Sequence, residues 1–214
     1  MSVFFTSDPH FWHINVIKYD NRPFTTVEEM NETLIKNWNS VVKPGDVIHM
    51  VGDFGFMNMT EGTAITSRLN GFKILYLGNH DQHSNAKYLR MGFSMVLGEM
   101  VFRTNNKIFR ISHYPYKPSK LRQWWIKLKT GKNYTKINKH SPIRNQEDWL
   151  LHGHTHSDSK LIDFKRREIH IGCYMWNYKP VSMEQILSLI DKEENRIKSN
   201  SSWLVKTYRQ LVRS

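Results

Sequence analysis

Five short apolar runs recur along the chain, and within three residues each gives way to a polar cluster. Val3-Phe4-Phe5 leads to Asp8-Pro9-His10, and Val47-Ile48-His49-Met50-Val51 leads to Gly52-Asp53. Ile74 to Leu77 leads to Gly78-Asn79-His80-Asp81, Ile108 to Ile111 leads to His113, and Trp149 to Leu151 leads to Gly153-His154-Thr155-His156. Runs this short, bounded by turn-forming residues, read as buried β-strands. Between them the period changes. Thr25-x-x-Glu28 and Thr26-x-x-Glu29 are both possible capping boxes. Val27, Met30, Leu34, Ile35, Trp38, Val41 and Val42 then follow at helical spacing until Pro44-Gly45. Shorter helices are predicted over 61–69 and 85–90. Ser182-x-x-Gln185 opens another, with a break at Asn200-Ser201-Ser202 before a last helix carrying Trp203, Leu204, Tyr208, Leu211 and Val212. Strands alternating with helices, then short strands from Leu161 to Ile171, predict an α/β protein with helices flanking two packed sheets.

The polar clusters supply Asp, His and Asn, donors that divalent first-row metals prefer. Polar groups at the carboxyl ends of several strands converge on one sheet edge, where α/β proteins build their sites. A single strand-end histidine such as His113 is more often a structural residue. Five clusters in series, each behind a strand, point instead to a metal site assembled from the whole chain.

The order D-x-H, G-D, G-N-H-D, H, G-H-x-H resembles that of the calcineurin-like metallophosphoesterases, over roughly Ser2 to Gly172. Ser7 to His13 and Asn21-Arg22-Pro23-Phe24 look like a small single-domain branch found in bacteria and phages. The resemblance implies a four-layer αββα sandwich with two mixed β-sheets. It implies two divalent metal ions, one held by Asp8, His10, Asp53 and His156, the other by Asp53, Asn79, His113 and His154, with Asp53 bridging. It further implies phosphate-ester hydrolysis by a metal-bridging hydroxide, with His80 giving a proton to the leaving oxygen and Asp81 supporting the ligands. An ordinary imidazole pKa near 6.5 suits His80 for that role. Gly52-Asp53-Phe54-Gly55 lacks the acidic residue and arginine that follow in the Ser/Thr protein phosphatases, so that activity is not expected. Without thiolates the ligand set suits Mn²⁺, the expected ion, as well as Fe²⁺, Zn²⁺, Co²⁺ or Ni²⁺.

At 214 residues a single domain spanning 1–214 is expected. The lone Cys173 excludes an internal disulfide. No apolar run approaches about 18 residues, and Asp8 interrupts the amino terminus too early for a secretion signal. A cytoplasmic protein is the expectation, with no membrane partner and no protein partner inferable.

Charge changes the picture in one place. The chain holds 31 Lys and Arg against 19 Asp and Glu, a formal +12. From Met100 to Gln146 there is no acidic residue, while Arg103 to Arg144 contains twelve basic ones. The segment 114–148 lies between two expected ligands of one metal and also carries Tyr114, Tyr116, Trp124, Trp125 and Tyr134. Basic groups interleaved with aromatics suit single-stranded nucleic acid or an oligonucleotide. The alternative is a solvated cationic loop. His13 and Arg22, in the segments carrying the resemblance, and Lys117, Arg122, Trp124 and Trp125, in the basic stretch, are the candidate substrate contacts. The leading expectation is a phosphodiesterase acting on a nucleotide or nucleic acid. A phosphomonoesterase shares the same motifs, and an inactive interaction module would be expected to have lost some of them.

Overall fold

A computed structural model describes residues 1–130, 140–145, 148–156 and 161–211, and the side chains of these except at 126, 130 and 200–211. The first sheet holds β1 (Val3–Thr6), β2 (Val47–Val51), β3 (Phe72–Tyr76), β4 (Met95–Leu97) and, at its edge, β10 (Val181–Ser182). Its order is β10-β1-β2-β3-β4, with β1 to β4 parallel and β10 antiparallel. The second holds β5 (Glu99–Thr104), β6 (Lys107–Ser112), β7 (Asp148–His152), β8 (Ile162–Asp163) and β9 (Glu168–His170). Its order is β5-β6-β7-β9-β8, parallel in the middle and antiparallel at both edges. Each expected strand forms, and each is buried enough to need its apolar run.

The period of two divides the first sheet's side chains between two cores. Phe4, Ile48, Met50 and Leu75 face one core, with residues of α2 (Val27–Val41), α3 (Met59–Thr66) and α4 (Asn85–Met91). Phe5, Val51, Ile74 and Tyr76 face the other, against Phe109, Ile111, Trp149, Leu151 and Ile169 of the second sheet. The two mixed sheets therefore share a buried interface, and helices cover the far side of the first. Thr26 caps α2 by accepting from the Glu29 amide at 3.1 Å, a contact worth about 1 kcal/mol. Asn58 and Glu61 close a reciprocal box on α3, one turn before the predicted start.

Three elements depart from expectation. A short helix, α1 (Ile14–Tyr19), follows the first polar cluster. The basic stretch contains α5 (Lys120–Thr130). Its Leu121, Trp124, Trp125 and Leu128 are exposed, so it does not supply a helix layer over the second sheet. The carboxyl-terminal helix α6 (Met183–Leu211) runs through Asn200-Ser201-Ser202 without the expected break. Asn and Ser disfavour helix by only a few tenths of a kcal/mol, roughly, and no Gly or Pro is present to stop it. The apolar stripe expected from Trp203 to Val212 lies outside the side chains described. At the start of α6, Ser182 and Gln185 do cap each other, at 2.9 and 3.1 Å.

Candidate metal centre

The carboxyl ends of β1, β2, β3, β6 and β7 meet at one edge of the paired sheets, and each releases a polar cluster into the same space. The chain turns there through the left-handed region at Asp8 (φ 55°), His10 (φ 52°), Asp53 (φ 55°) and His154 (φ 66°). Such conformations cost on the order of 1 kcal/mol apiece and persist only where the surroundings fix them. Two glycines allow the loops to close. A methyl on Gly78 would strike the Asp53 carboxylate, and one on Gly153 would strike Ser7 and the Asp8 carboxylate.

Two groups of donors result. One ligand atom each from Asp8, His10, Asp53 and His156 lie within 4.8 Å of one another, as do those of Asp53, His113 and His154. Asp53 is common to both. Its Oδ2 stands 3.7 Å from His10 Nε2 and 3.5 Å from His113 Nε2. Asn79 joins the second group through Oδ1, 3.1 Å from His113 Nε2. Asp8, His10, Asp53 and His113 are almost wholly buried, while Asn79 is exposed.

The protonation pattern suits a cation. His113 Nδ1 faces the Val51 carbonyl at 3.0 Å, and His156 Nδ1 faces Asp20 Oδ2 at 2.6 Å. A carbonyl and a carboxylate only accept, so each Nδ1 donates a proton to its partner and Nε2 is the nitrogen left facing the centre. His156 Nε2 lies 3.3 Å from His10 Nε2 and 3.8 Å from Asp8 Oδ1. Ring nitrogens and carboxylates thus converge as a divalent ion requires, and the residues fit one.

Electrostatics agree. Burial raises the Asp53 carboxyl to about 7, opposed by His113 and reinforced by the neighbouring Asp8. Burial acts the same way on Asp8, but His113, His156, His10 and the Ser7 hydroxyl outweigh it and hold Asp8 well below its ordinary value. Burial pushes His10 well down against the pull of Asp8, and takes His154 to about 4 with help from His113. These imidazoles are neutral, the form that ligates metal.

Several supporting residues have no motif of their own. Asp20 orients His156 and also meets Arg22 at 3.3 Å. Arg22, a candidate substrate contact, is instead 4% exposed and donates to the Pro9 and Asp8 carbonyls at 2.8 and 2.9 Å. It braces the loop that carries Asp8 and His10. Asp81 accepts from the Asp53, Phe54 and Gly78 amides at 2.8, 3.0 and 2.8 Å, tying the second loop to the third. His170 and Tyr174 converge on the Thr155 carbonyl at 2.7 and 2.8 Å, between the two histidines of the last loop. Nothing in the sequence pattern marked Asp20, His170 or Tyr174 as parts of this scaffold.

His80 sits at the rim. Its amide donates to Asp53 Oδ1 at 2.9 Å, and its ring centre lies 5.5 Å from that of His10 and 5.0 Å from that of Phe56. Burial, then His113, lowers its pKa below the ordinary value assumed from sequence. His13 is beside it, 6.2 Å between ring centres. Lys117, Arg122, Trp124 and Trp125 are exposed on or just before α5. Tyr114 and Tyr116, counted among the aromatics interleaved with the basic residues, are buried. Tyr114 lies 4.9 Å from the His154 ring, and Tyr116 is fully buried. Lys132 and Tyr134 lie outside the described residues.

No protein-family model matches the chain. It is 34% identical over 201 residues to an uncharacterized protein of Methanocaldococcus jannaschii, covering 89% of this chain and 92% of that one. It is 30% identical over 213 residues to the gene 66 protein of Mycobacterium phage L5, covering 89% and 94%. The chain belongs to the family these two proteins represent. A solved protein of unknown function from Aquifex aeolicus superposes with a TM-score of 0.64 at 28% identity, over 88% of this chain and 99% of its own. A solved archaeal phosphodiesterase reaches a TM-score of 0.40 at 16% identity, too distant to bear on function. Among the described residues no helix is long and apolar enough to cross a membrane.

Proposed function

We propose that the chain is a calcineurin-like metallophosphoesterase of αββα architecture whose centre takes two divalent ions and hydrolyses phosphodiesters of nucleotides or nucleic acids. The observation that carries this reading is Asp53, one carboxylate shared by two groups of donors. Asp8, His10, Asp53 and His156 would hold one ion, and Asp53, Asn79, His113 and His154 the other. Bound there, such ions supply Lewis acidity toward phosphoryl oxygens and acidify water.

The chain's own residues do the rest. Asn79 offers a neutral oxygen, so it adds no charge to repel an anionic ester. His113 and His156 point Nε2 at the centre because each Nδ1–H donates to an acceptor, the Val51 carbonyl and the Asp20 carboxylate. His80, at the rim with its amide on Asp53, is the residue we assign to protonate the leaving oxygen. Burial and His113 lower its pKa, and an anionic ester beside it would act in the opposite direction.

The test is a paired assay of bis(4-nitrophenyl) phosphate and 4-nitrophenyl phosphate with Mn²⁺, Fe²⁺, Zn²⁺, Co²⁺ and Ni²⁺ in turn. Faster turnover of the diester with Mn²⁺ is expected. Turnover of the monoester alone would replace diester with monoester chemistry. Turnover of neither with any ion would remove the enzyme reading.

A further inference from the structure

We propose that the outward face of α5 binds single-stranded nucleic acid and presents it to the metal centre. The cleavage step rests on the phosphodiesterase reading; the binding step does not. Leu121, Trp124, Trp125 and Leu128 fall at the i, i+3, i+4, i+7 spacing that normally marks a buried helix stripe. Here all four are between 57% and 72% exposed. On the opposite side Gln123 is half-buried, and its amide donates to the Pro118 carbonyl at 2.7 Å.

Charge identifies the ligand as an anion. Helical residues advance about 100° each, which places Lys120 and Lys127 along one margin of the apolar stripe and Arg122 and Lys129 along the other. All four are exposed, and no acidic residue occurs from Met100 to Gln146. Within the stripe the leucines are central and the indoles lateral. Trp124 adjoins the first pair of cations and Trp125 the second. Each margin therefore offers a stacking plane beside two positive charges, the combination that engages a base and its phosphate.

Position links this face to the centre. The Tyr114 ring lies 5.0 Å from that of His113 and 4.9 Å from that of His154. Tyr116 is fixed through its amide to Glu168 at 2.8 Å, and the Lys117 amide donates to Pro142 at 2.9 Å. Six residues separate Tyr114 from Lys120, a reach of at most about 22 Å. A chain of phosphate esters with stackable bases matches both the helix and the centre. An anionic lipid surface matches the helix alone.

The experiment follows the anisotropy of a fluorescein-labelled oligothymidylate titrated with the metal-loaded full-length protein at several salt concentrations. Wild type should bind with a steep salt dependence. Replacing Lys120, Arg122, Lys127 and Lys129 by Gln should reduce the log–log slope by about 3, at about 0.7 per phosphate contact. Trp124→Ala with Trp125→Ala should weaken binding between about 5-fold and about 160-fold per stacked base, and oligonucleotide should quench indole fluorescence in wild type. Circular dichroism and metal content report whether each variant is folded. Unaltered affinity in both folded variants would overturn the proposal, and so would binding to phosphatidylglycerol vesicles through these residues with no response to oligonucleotide. Hydrolysis of bis(4-nitrophenyl) phosphate is scored separately. Oligonucleotide binding in its absence would support the docking face while removing the phosphodiesterase reading.

Discussion

Asp20 accepts a 2.6 Å hydrogen bond from Nδ1 of His156, across 136 residues of sequence. Burial alone would lower the His156 pKa, but this bond together with the charges of Asp8 and Asp20 outweighs it and holds the imidazole above its ordinary value. The same bond fixes the tautomer with Nε2 facing Asp8 and His10. Asp20→Asn keeps the shape and removes the charge, and the amide can present a donor where an acceptor is needed. Metal affinity should fall by ~10–100-fold, measured by calorimetric titration with Mn²⁺. An unchanged affinity would mean that the Asp20 bond does not govern how His156 meets the ion.

Asp53 is the one carboxylate shared by both donor groups. Asp53→Ala should lower bound metal in elemental analysis and abolish hydrolysis, whereas chelation of wild type should abolish it reversibly. Full turnover by thoroughly metal-stripped protein would sink the two-metal reading.

His80 meets the cluster at its rim, with its backbone amide on Asp53 and its ring toward His10. A proton donor matters in proportion to the basicity of the leaving group. His80→Ala should therefore lose ~10²–10⁴-fold on nucleoside esters and much less on nitrophenyl esters, with metal content preserved. Equal losses on the two ester types would make His80 a phosphate-positioning residue.

His49 gives a prediction about stability, away from the centre. It stacks on Phe5 and meets the Tyr76 hydroxyl at 2.9 Å, and burial lowers its pKa to about 4. His152 and His170 are likewise lowered to about 4, chiefly by burial. An unfolded histidine takes a proton near pH 6.5, so below that pH the unfolded chain binds more protons than the folded one. The stability these neutral histidines allow is present above pH 6.5 and is lost as pH falls toward 4, at about 1.4 kcal/mol per pH unit for each. In urea unfolding between pH 6 and 4.5, His49→Gln should flatten the slope by about one proton. Parallel curves for variant and wild type would show that His49 charges without unfolding.

The strands and the clusters behind them were legible because burial on both faces forces continuous apolar runs, and because glycines and ligands must follow at fixed intervals. Gly78 and Gly153 are readable in that sense, since a side chain on either would occupy the space of a carboxylate. Asp20 and Arg22 were not, because a single carboxylate or guanidinium has no periodicity, and their partners lie in other loops. Tyr114 and Tyr116 misled for a related reason. Composition counts aromatics without showing which way they face, and the topology turns these two inward. The unbroken α6 shows the same limit, since Asn and Ser weaken a helix without ending it.

The centre joins positions at opposite ends of the motif series, with the His154 amide reaching back across 146 residues to the Asp8 carboxylate at 3.1 Å. A chain still being synthesised has made its first acidic ligand long before its last imidazole exists. Until the final loop emerges and closes on the amino-terminal one, the growing polypeptide has no complete coordination sphere. A fragment lacking that loop therefore lacks His154 and His156, and with them a donor from each of the two groups.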